Sequence, residues 1–484
     1  MLTTPSVVTA ALVIAHILIV LVAAVLISAN RKPSSAVAWV LAIIFIPFLG
    51  AIWFLLTGHG KLPKSRRDKQ REVCSAILER TPGISDVSHR DEWPSWLPSA
   101  VVLNRNLGSL PMVGGNSAIL IEDYEGSIKA MVDAIDEATT YVHVEFFILV
   151  HDDTTAEFFQ SLEQACRRGV KVRVLSDHVA QFMYPGRKKT VQLLEQMGAE
   201  YYPMLPIKLR RYWQRPDLRN HRKLVVVDGR VGFTGSQNLI DASYHKKKSI
   251  KQGLHWHELM ARFEGPVVRE LDAVFITDWY SESEELLPLD TSPVLIGNDP
   301  AALDAQIVPS GPSFDNDNNL KLFLALIHSA RHRISITSPY FVPDESLMLA
   351  LMTAGARGVD VELFVSEIGD QFLVFHAQRS YYEMLLRSGI KIYLYPAPTV
   401  LHAKHLSVDN DVAVIGSSNL DIRSLSLHME LSVLVYGRSF VDAMRAVEDD
   451  YRAKSKQVQL DQWLRRPHRL QAFDNLARLT SSLQ

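Results

Sequence analysis

The sequence predicts an α/β protein of two pseudo-symmetric lobes, each a mixed sheet flanked by helices, preceded by a two-helix transmembrane hairpin. Three observations predict it. Two long apolar runs stand at the N-terminus, helix-like and strand-like segments alternate through the rest of the chain, and one block of that alternation occurs twice.

The apolar runs, Val7–Ile27 and Ala36–Leu56, hold 21 residues each and no charged side chain. At about 1.5 Å per residue, each is long enough to cross a hydrocarbon core of about 30 Å. A cleaved signal peptide would carry a basic stretch before the first run, and none is present. The segment Ser28–Ser35 is too short for anything but a turn, so residues 1–60 read as a hairpin with helices at about 7–27 and 36–56. Lys61, Lys64, Arg66, Arg67, Lys69 and Arg71 come directly after it, against Arg31 and Lys32 in the turn. That bias places the remainder of the chain in the cytoplasm, and residues 61–110 read as a basic juxtamembrane linker able to lie on anionic headgroups.

The duplication organises the remainder of the chain. Ala134–Ile148 and Leu326–Tyr340 each end a helix and begin an apolar strand. Ala165–Val174 and Thr353–Leu363 each give a helix end, a glycine stop and a second strand. Residues 111–285 form the first lobe and 286–484 the second, joined by a segment near 284–303 rich in Pro, Asp and Gly. The tail from Gln457 carries Trp463, Leu464, Leu470, Phe473, Leu476 and Leu479 among arginines, a helix for the second lobe or for a membrane surface.

Net charge is −2 from 51 basic and 53 acidic residues, and the anchor holds only two of the basic ones. The remainder is therefore net acidic, which argues against a nucleic-acid partner. The two cysteines, Cys74 and Cys166, lack disulfide-framework or metal spacing.

The densest signal is a motif found in both halves. His221, Lys223 and Asp228 precede Gly235, Ser236 and Asn238; His402, Lys404 and Asp409 precede Gly416, Ser417 and Asn419 at identical spacing. In a strand, positions i and i+2 share a face, so each histidine and lysine project together. Asp228 falls at odd spacing and opens Asp-Gly, a turn signal, so it and Asp409 read as supporting residues. Ser236, Asn238, Ser417 and Asn419 return to the same edge and, with the two ammonium groups, suit the charge of a phosphoryl transition state. One imidazole attacks phosphorus while the other protonates the leaving alkoxide. Glu258 and Glu430, at equivalent positions downstream, are the candidates to orient the rings, each motif tied to the glutamate of its own half. No metal or other cofactor is required.

The repeated HxKxxxxD…GSxN pattern over about residues 115–455 resembles the phospholipase D superfamily. The layout of hairpin, basic flank and two lobes is similar to the bacterial cardiolipin synthases within it. Supporting segments are Arg31–Trp39 running into Ile46–Gly50, and Ser338–Asp344. The resemblance implies catalytic His221, Lys223, Asp228, His402, Lys404 and Asp409, and a location in the bacterial inner membrane. It also implies phosphatidylglycerol and cardiolipin as membrane partners, and His221 as the nucleophile, which the near-symmetric sequence cannot decide. Hydrolysis of phosphatidyl lipids, or a nuclease activity, would use the same groups. Basic residues around the first motif, Lys208, Arg210, Arg211, Arg215, Arg219 and Arg222, and a second set, Lys246, Lys247, Lys248 and Lys251, are candidates for headgroup phosphate. Tyr212 and Trp213 fit an interfacial loop.

Overall fold

The computed structural model describes residues 4–28, 33–46, 48–58, 60–81, 87–207, 215–290, 299 and 301–481. Its first element is the helix Thr4–Ser28, whose span Val8–Ile27 has a mean hydropathy of 3.1 and is the only described helix long and apolar enough to cross a membrane. The second apolar run is not one helix. It forms two helices, Pro33–Phe45 and Leu49–Thr57. The 13 residues of the first piece reach about 20 Å, short of a hydrocarbon core of about 30 Å. The two pieces fold together through Trp39, which meets Trp53 and Phe54 edge-on at 5.9 and 5.4 Å.

Residues expected as a basic linker are instead largely helical, at Lys64–Arg80 and Leu97–Gly108. Several of the basic side chains are held by the body of the protein. Arg66 forks onto Glu282 at 2.7 and 2.8 Å, Lys69 donates to the Tyr280 carbonyl at 2.9 Å, and Lys61 to that of Phe314 at 2.6 Å.

The α/β body is built on one 15-stranded sheet. From its middle outward through the first half run Val113–Ile121, Met260–Glu264, Val231–Gly235, Lys223–Val227, Tyr141–Phe146, Lys171–Asp177 and Glu200–Met204. Through the second half run Leu303–Ser310, Glu430–Tyr436, Val412–Gly416, His405–Val408, Arg333–Thr337, Asp360–Ser366 and Lys391–Tyr395, closed by the short edge strand Lys456–Gln457. The inner strands of each half pair antiparallel, and the outer three are parallel because helices cross over between them. The halves join where Val113 pairs with Ala305 and Asn116 with Leu303. One apolar core crosses that seam, with Phe263 and Phe275 from the first half beside Ile307 and Val433 from the second; two further cores serve the separate halves.

The helix Val267–Ser283 ends the first half; of the expected connection, residues 291–298 and 300 lie outside the described residues. The tail forms Leu460–Leu464 and His468–Arg478. The latter docks on Phe372–Arg387, where His376 meets Asp474 at 2.7 Å and Phe372 meets Phe473 at a ring separation of 5.6 Å.

Candidate active site

Each histidine is delivered by a segment that crosses to the other half. His221 donates its backbone N–H to the Met429 carbonyl at 2.8 Å, and Met429 returns one to Arg219 at 2.9 Å. In parallel, Thr399–Leu401 pairs with His255–His257, and the His402 N–H reaches the His257 carbonyl at 2.8 Å. Met429 and His257 each precede a glutamate, so the exchange sets every histidine beside the glutamate of the opposite half.

The side chains complete the exchange. His221 Nδ1 lies 3.0 and 3.1 Å from the two carboxylate oxygens of Glu430, and His402 Nδ1 lies 2.7 Å from Glu258 Oε1. The expectation that each motif pairs with its own downstream glutamate is therefore corrected. Aligning two copies reveals which positions are equivalent but not which of them meet across the seam. A Nδ1–H given to a carboxylate leaves Nε2 as the basic nitrogen of each ring, and in His402 that nitrogen stands 3.2 Å from the Lys404 ammonium.

Lys223 and Lys404 are buried beneath the rings. Lys223 donates to the His221 carbonyl and stands 5.8 Å from the Phe147 ring centre; Lys404 donates to the His402 carbonyl at 2.6 Å, with both nitrogens of that ring 3.2 Å away. Strand parity is not what aligns them: the strands begin at Lys223 and His405, so both histidines and Lys404 lie in the irregular entry segments. Burial, only partly offset by the glutamates, pulls Lys223 down to about 7 and Lys404 to about 8. Burial and then the charges of Lys223 and Lys404 hold His221 well below its ordinary value, while His402 is lowered by burial against the pull of Glu258. Burial pushes Glu258 up, but His402 and Lys404 outweigh it and leave that carboxyl below the usual range; burial prevails at Glu430, which is raised.

The two aspartates do not join this group. Asp228, in the turn after Val227, accepts the N–H groups of Thr139, Thr140 and Tyr141 at 2.8 Å each. Asp409 does the same for Arg331, His332 and Arg333 at 2.9, 2.7 and 2.8 Å. Their carboxylates tie the far end of each motif strand to the start of its neighbour. Three of the four small polar residues are likewise engaged. Ser236 accepts the Leu259 N–H at 2.9 Å, Asn238 accepts that of Ile148 at 3.1 Å, and Ser417 donates to Glu430 while accepting the Leu431 N–H at 2.9 Å. They brace the glutamates and the first strand, and do not stand free as donors for phosphate. Asn419 Oδ1 alone is buried without a partner.

Sequence reasoning missed Tyr244, whose hydroxyl donates to Glu258 at 2.9 Å, and His428, whose ring lies 5.7 Å from that of His221. Neither recurs in the other half; Trp256 occupies the position equivalent to His428. His221, His428 and Glu430 bring ligand atoms within 4.8 Å, but Glu430 is already committed to His221 and Ser417, so a hydrogen-bonded pair accounts for them better than a metal ion. Of the proposed basic patches, Lys208, Arg210 and Arg211 lie outside the described residues, as do Tyr212 and Trp213. Arg215, Arg219 and Arg222 are paired with Asp217, Asp177 and Asp278, and Lys246 with Asp370, leaving Lys247, Lys248 and Lys251 exposed.

A family profile described as "Cardiolipin synthase, PLD-like domain" matches residues 131–279 and 323–450, and so takes in both histidine–lysine motifs. The chain belongs to the cardiolipin synthase family. As a member it is an enzyme of the phospholipase D superfamily, a phosphatidyltransferase. A second profile, "Phospholipase_D-nuclease N-terminal", matches residues 17–59. Cardiolipin synthase A of Proteus mirabilis is 30% identical over 461 residues, 94% of each chain. The cardiolipin synthase of Geobacillus kaustophilus is 31% identical over 470 residues, 96% of this chain and 92% of that one. Among solved structures, phosphatidylserine synthase of Haemophilus influenzae shares the fold with a TM-score of 0.59 at 16% identity, covering 80% of this chain and 100% of that one.

Proposed function

We propose that this chain makes cardiolipin from two phosphatidylglycerol molecules, releasing glycerol, through a phosphatidyl-histidine at His221. The observation that carries the reading is the crossed arrangement of two buried imidazole–carboxylate pairs over two buried ammonium groups. Such a site holds a phosphodiester's oxygens on Lys223 and Lys404, and sets one imidazole on each side of phosphorus. His221 Nε2 attacks, the P–N bond forms, and the bond to glycerol breaks as His402 gives its proton to the departing oxygen. His402 then takes the proton of a hydroxyl on the second phosphatidylglycerol. That oxygen displaces His221 and leaves both rings as they began.

Two features favour His221 as the nucleophile. Its ring is held neutral by burial and the neighbouring ammonium charges, whereas His402 faces the carboxylate that is kept ionised. Asp228, Asp409, Ser236, Asn238 and Ser417 serve this site by bracing it.

The equivalent strand orders support two pseudo-symmetric lobes, at about 111–285 and 286–484. Thr4–Ser28 crosses the bacterial cytoplasmic membrane, residues 33–57 form the returning limb of the hairpin, and the charge bias after it sets both lobes on the cytoplasmic side.

The test is to incubate detergent-solubilised protein with pure phosphatidylglycerol. Cardiolipin and glycerol are the expected products, and either His221→Ala or His402→Ala abolishes them. Phosphatidic acid would identify a hydrolase. Trapping label from the lipid on residue 402 would reverse the assignment of the nucleophile.

A further inference from the structure

A hydroxyl proton can be placed wherever its neighbours leave it one direction, and a backbone N–H, which only donates, is where such a placement starts. One chain of hydrogen bonds in the first half begins on a peptide N–H and ends on the ring of His402.

The Ile148 N–H meets the Asn238 side chain at 3.1 Å, so the atom facing it is the amide oxygen Oδ1. Nδ2 therefore faces the other way and donates to the Tyr244 hydroxyl oxygen at 3.0 Å. With that oxygen already accepting, the hydroxyl turns its own proton to Glu258 Oε1, 2.9 Å away. A carboxyl oxygen that receives a phenol proton carries none of its own, and the same Oε1 lies 2.7 Å from His402 Nδ1. The ring nitrogen must then supply the hydrogen of that contact, which leaves Nε2 to exchange protons with lipid oxygens. One peptide group thus sets the direction of every bond from Ile148 to His402.

Packing holds the phenol in place. Tyr244 is buried, its ring 4.7 Å from that of Trp256 and 6.3 Å from that of His402. Its backbone is left-handed at φ 56°, fixed by an N–H bond to the Asp241 carbonyl at 2.8 Å. A bulky residue seldom takes that conformation unless its surroundings impose it.

The second half is built otherwise. Leu425, also buried, stands where the repeat would place Tyr244, and Asn419 Oδ1 has no partner. Glu430 takes a hydroxyl proton from Ser417 on Oε2, while His221 Nδ1 straddles both carboxylate oxygens at 3.0 and 3.1 Å. His402 is held on a single oxygen that a phenol also grips, and His221 is not.

We propose that Tyr244 is a positioning residue that commits His402 to proton transfer, by keeping Glu258 the acceptor of its Nδ1–H through the chain from Ile148 and Asn238. This role rests on the function proposed above, and the two can be separated with phosphatidyl-p-nitrophenol. Its leaving group departs as the phenolate, with the electron pair of the P–O bond and no proton. Attack by His221 therefore releases one burst per site without help from His402, whereas departing glycerol and the accepting hydroxyl both need that help. In Tyr244→Phe, cardiolipin formation from phosphatidylglycerol should fall about 10- to 100-fold, the scale of a lost hydrogen bond to a charged group, with the burst rate within about twofold of wild type. Asn238→Asp keeps an oxygen for Ile148 but turns the donor into an acceptor for the phenol proton, and should show the same split with Tyr244 in place. The burst amplitude counts folded sites, so a destabilised variant loses amplitude and not rate. A burst rate that falls in step with cardiolipin formation in either variant would mark a structural brace and overturn the assignment, as would unchanged cardiolipin formation in Tyr244→Phe. Wild-type protein that gives no burst, or a burst but no cardiolipin from phosphatidylglycerol, would instead remove the proposed function.

Discussion

His221 and Glu430 stand 209 positions apart in sequence, yet the imidazole Nδ1 sits 3.0 and 3.1 Å from the two carboxylate oxygens. His402 and Glu258 repeat the relationship in the opposite direction. Each half therefore supplies the imidazole of one pair and the carboxylate of the other.

Replacing an orienting acid should disturb the histidine across the seam and not the one in its own half. Glu430→Gln is expected to change the tautomer and ring-nitrogen shifts of His221 in long-range ¹H–¹⁵N spectra while those of His402 hold still; Glu258→Gln does the reverse. Each should lower kcat by roughly 10²–10⁴, the usual worth of acid–base assistance. A His402 response to Glu430→Gln would refute the crossing.

The buried lysines predict how activity and stability depend on pH. Transfer requires both ammonium groups charged, so kcat/KM should fall on the alkaline side as Lys223 and Lys404 lose protons near about 7 and about 8. A bound phosphodiester raises both values, so the same limb in kcat should lie at higher pH. Stability runs the other way. Both groups ionise below the 10.5 of the unfolded chain, which then binds more protons, so folding gains as pH rises from about 7 towards 10.5. Melting curves of the solubilised protein should shift upward over that window, and less so in Lys223→Met.

Asp228 and Asp409 should prove important for folding and secondary for chemistry. Asp228→Ala strands three backbone N–H groups, at a cost of about 1–3 kcal/mol for each one left dry. Thermal unfolding should show the loss, while the folded fraction retains far more activity than His221→Ala or Lys223→Ala. Loss of all turnover without a change in Tm would place the aspartate in the reaction.

Arg222 should be a principal fastener between the halves. It is fully buried, paired with Asp278, and donates to the carbonyls of Glu430 and Ser310 at 3.1 and 3.4 Å. Arg222→Ala leaves an uncompensated carboxylate and should cost about 3–5 kcal/mol in chemical denaturation, whereas the paired change Arg222→Met with Asp278→Leu should cost less.

The residues of the site were readable because duplication preserved their spacing, and the glutamates were found by the same alignment. The repeat could not disclose the exchange of partners, since equivalence between copies says nothing about contact between them. Tyr244 and His428 escaped for the opposite reason: they are where the copies differ, Trp256 standing at the position that matches His428. Such departures beside an otherwise repeated motif are the signal that would have found them. At the N-terminus, composition identified the apolar run but hydropathy is blind to helix continuity, and the run that the count of apolar residues had joined holds two helices, Pro33–Phe45 and Leu49–Thr57.

The ladder pairing Val113 with Ala305 and Asn116 with Leu303 carries the sheet across the seam between the halves, with one shift of register between those pairs. The crossed segments add further ties over that seam, since the backbone N–H groups of His221 and His402 are each bonded to a carbonyl of the opposite half. Turnover therefore cannot depend on a clamshell opening, although the product is bulkier than either substrate. An opening of that kind would have to break the seam ladder together with both crossed histidine segments.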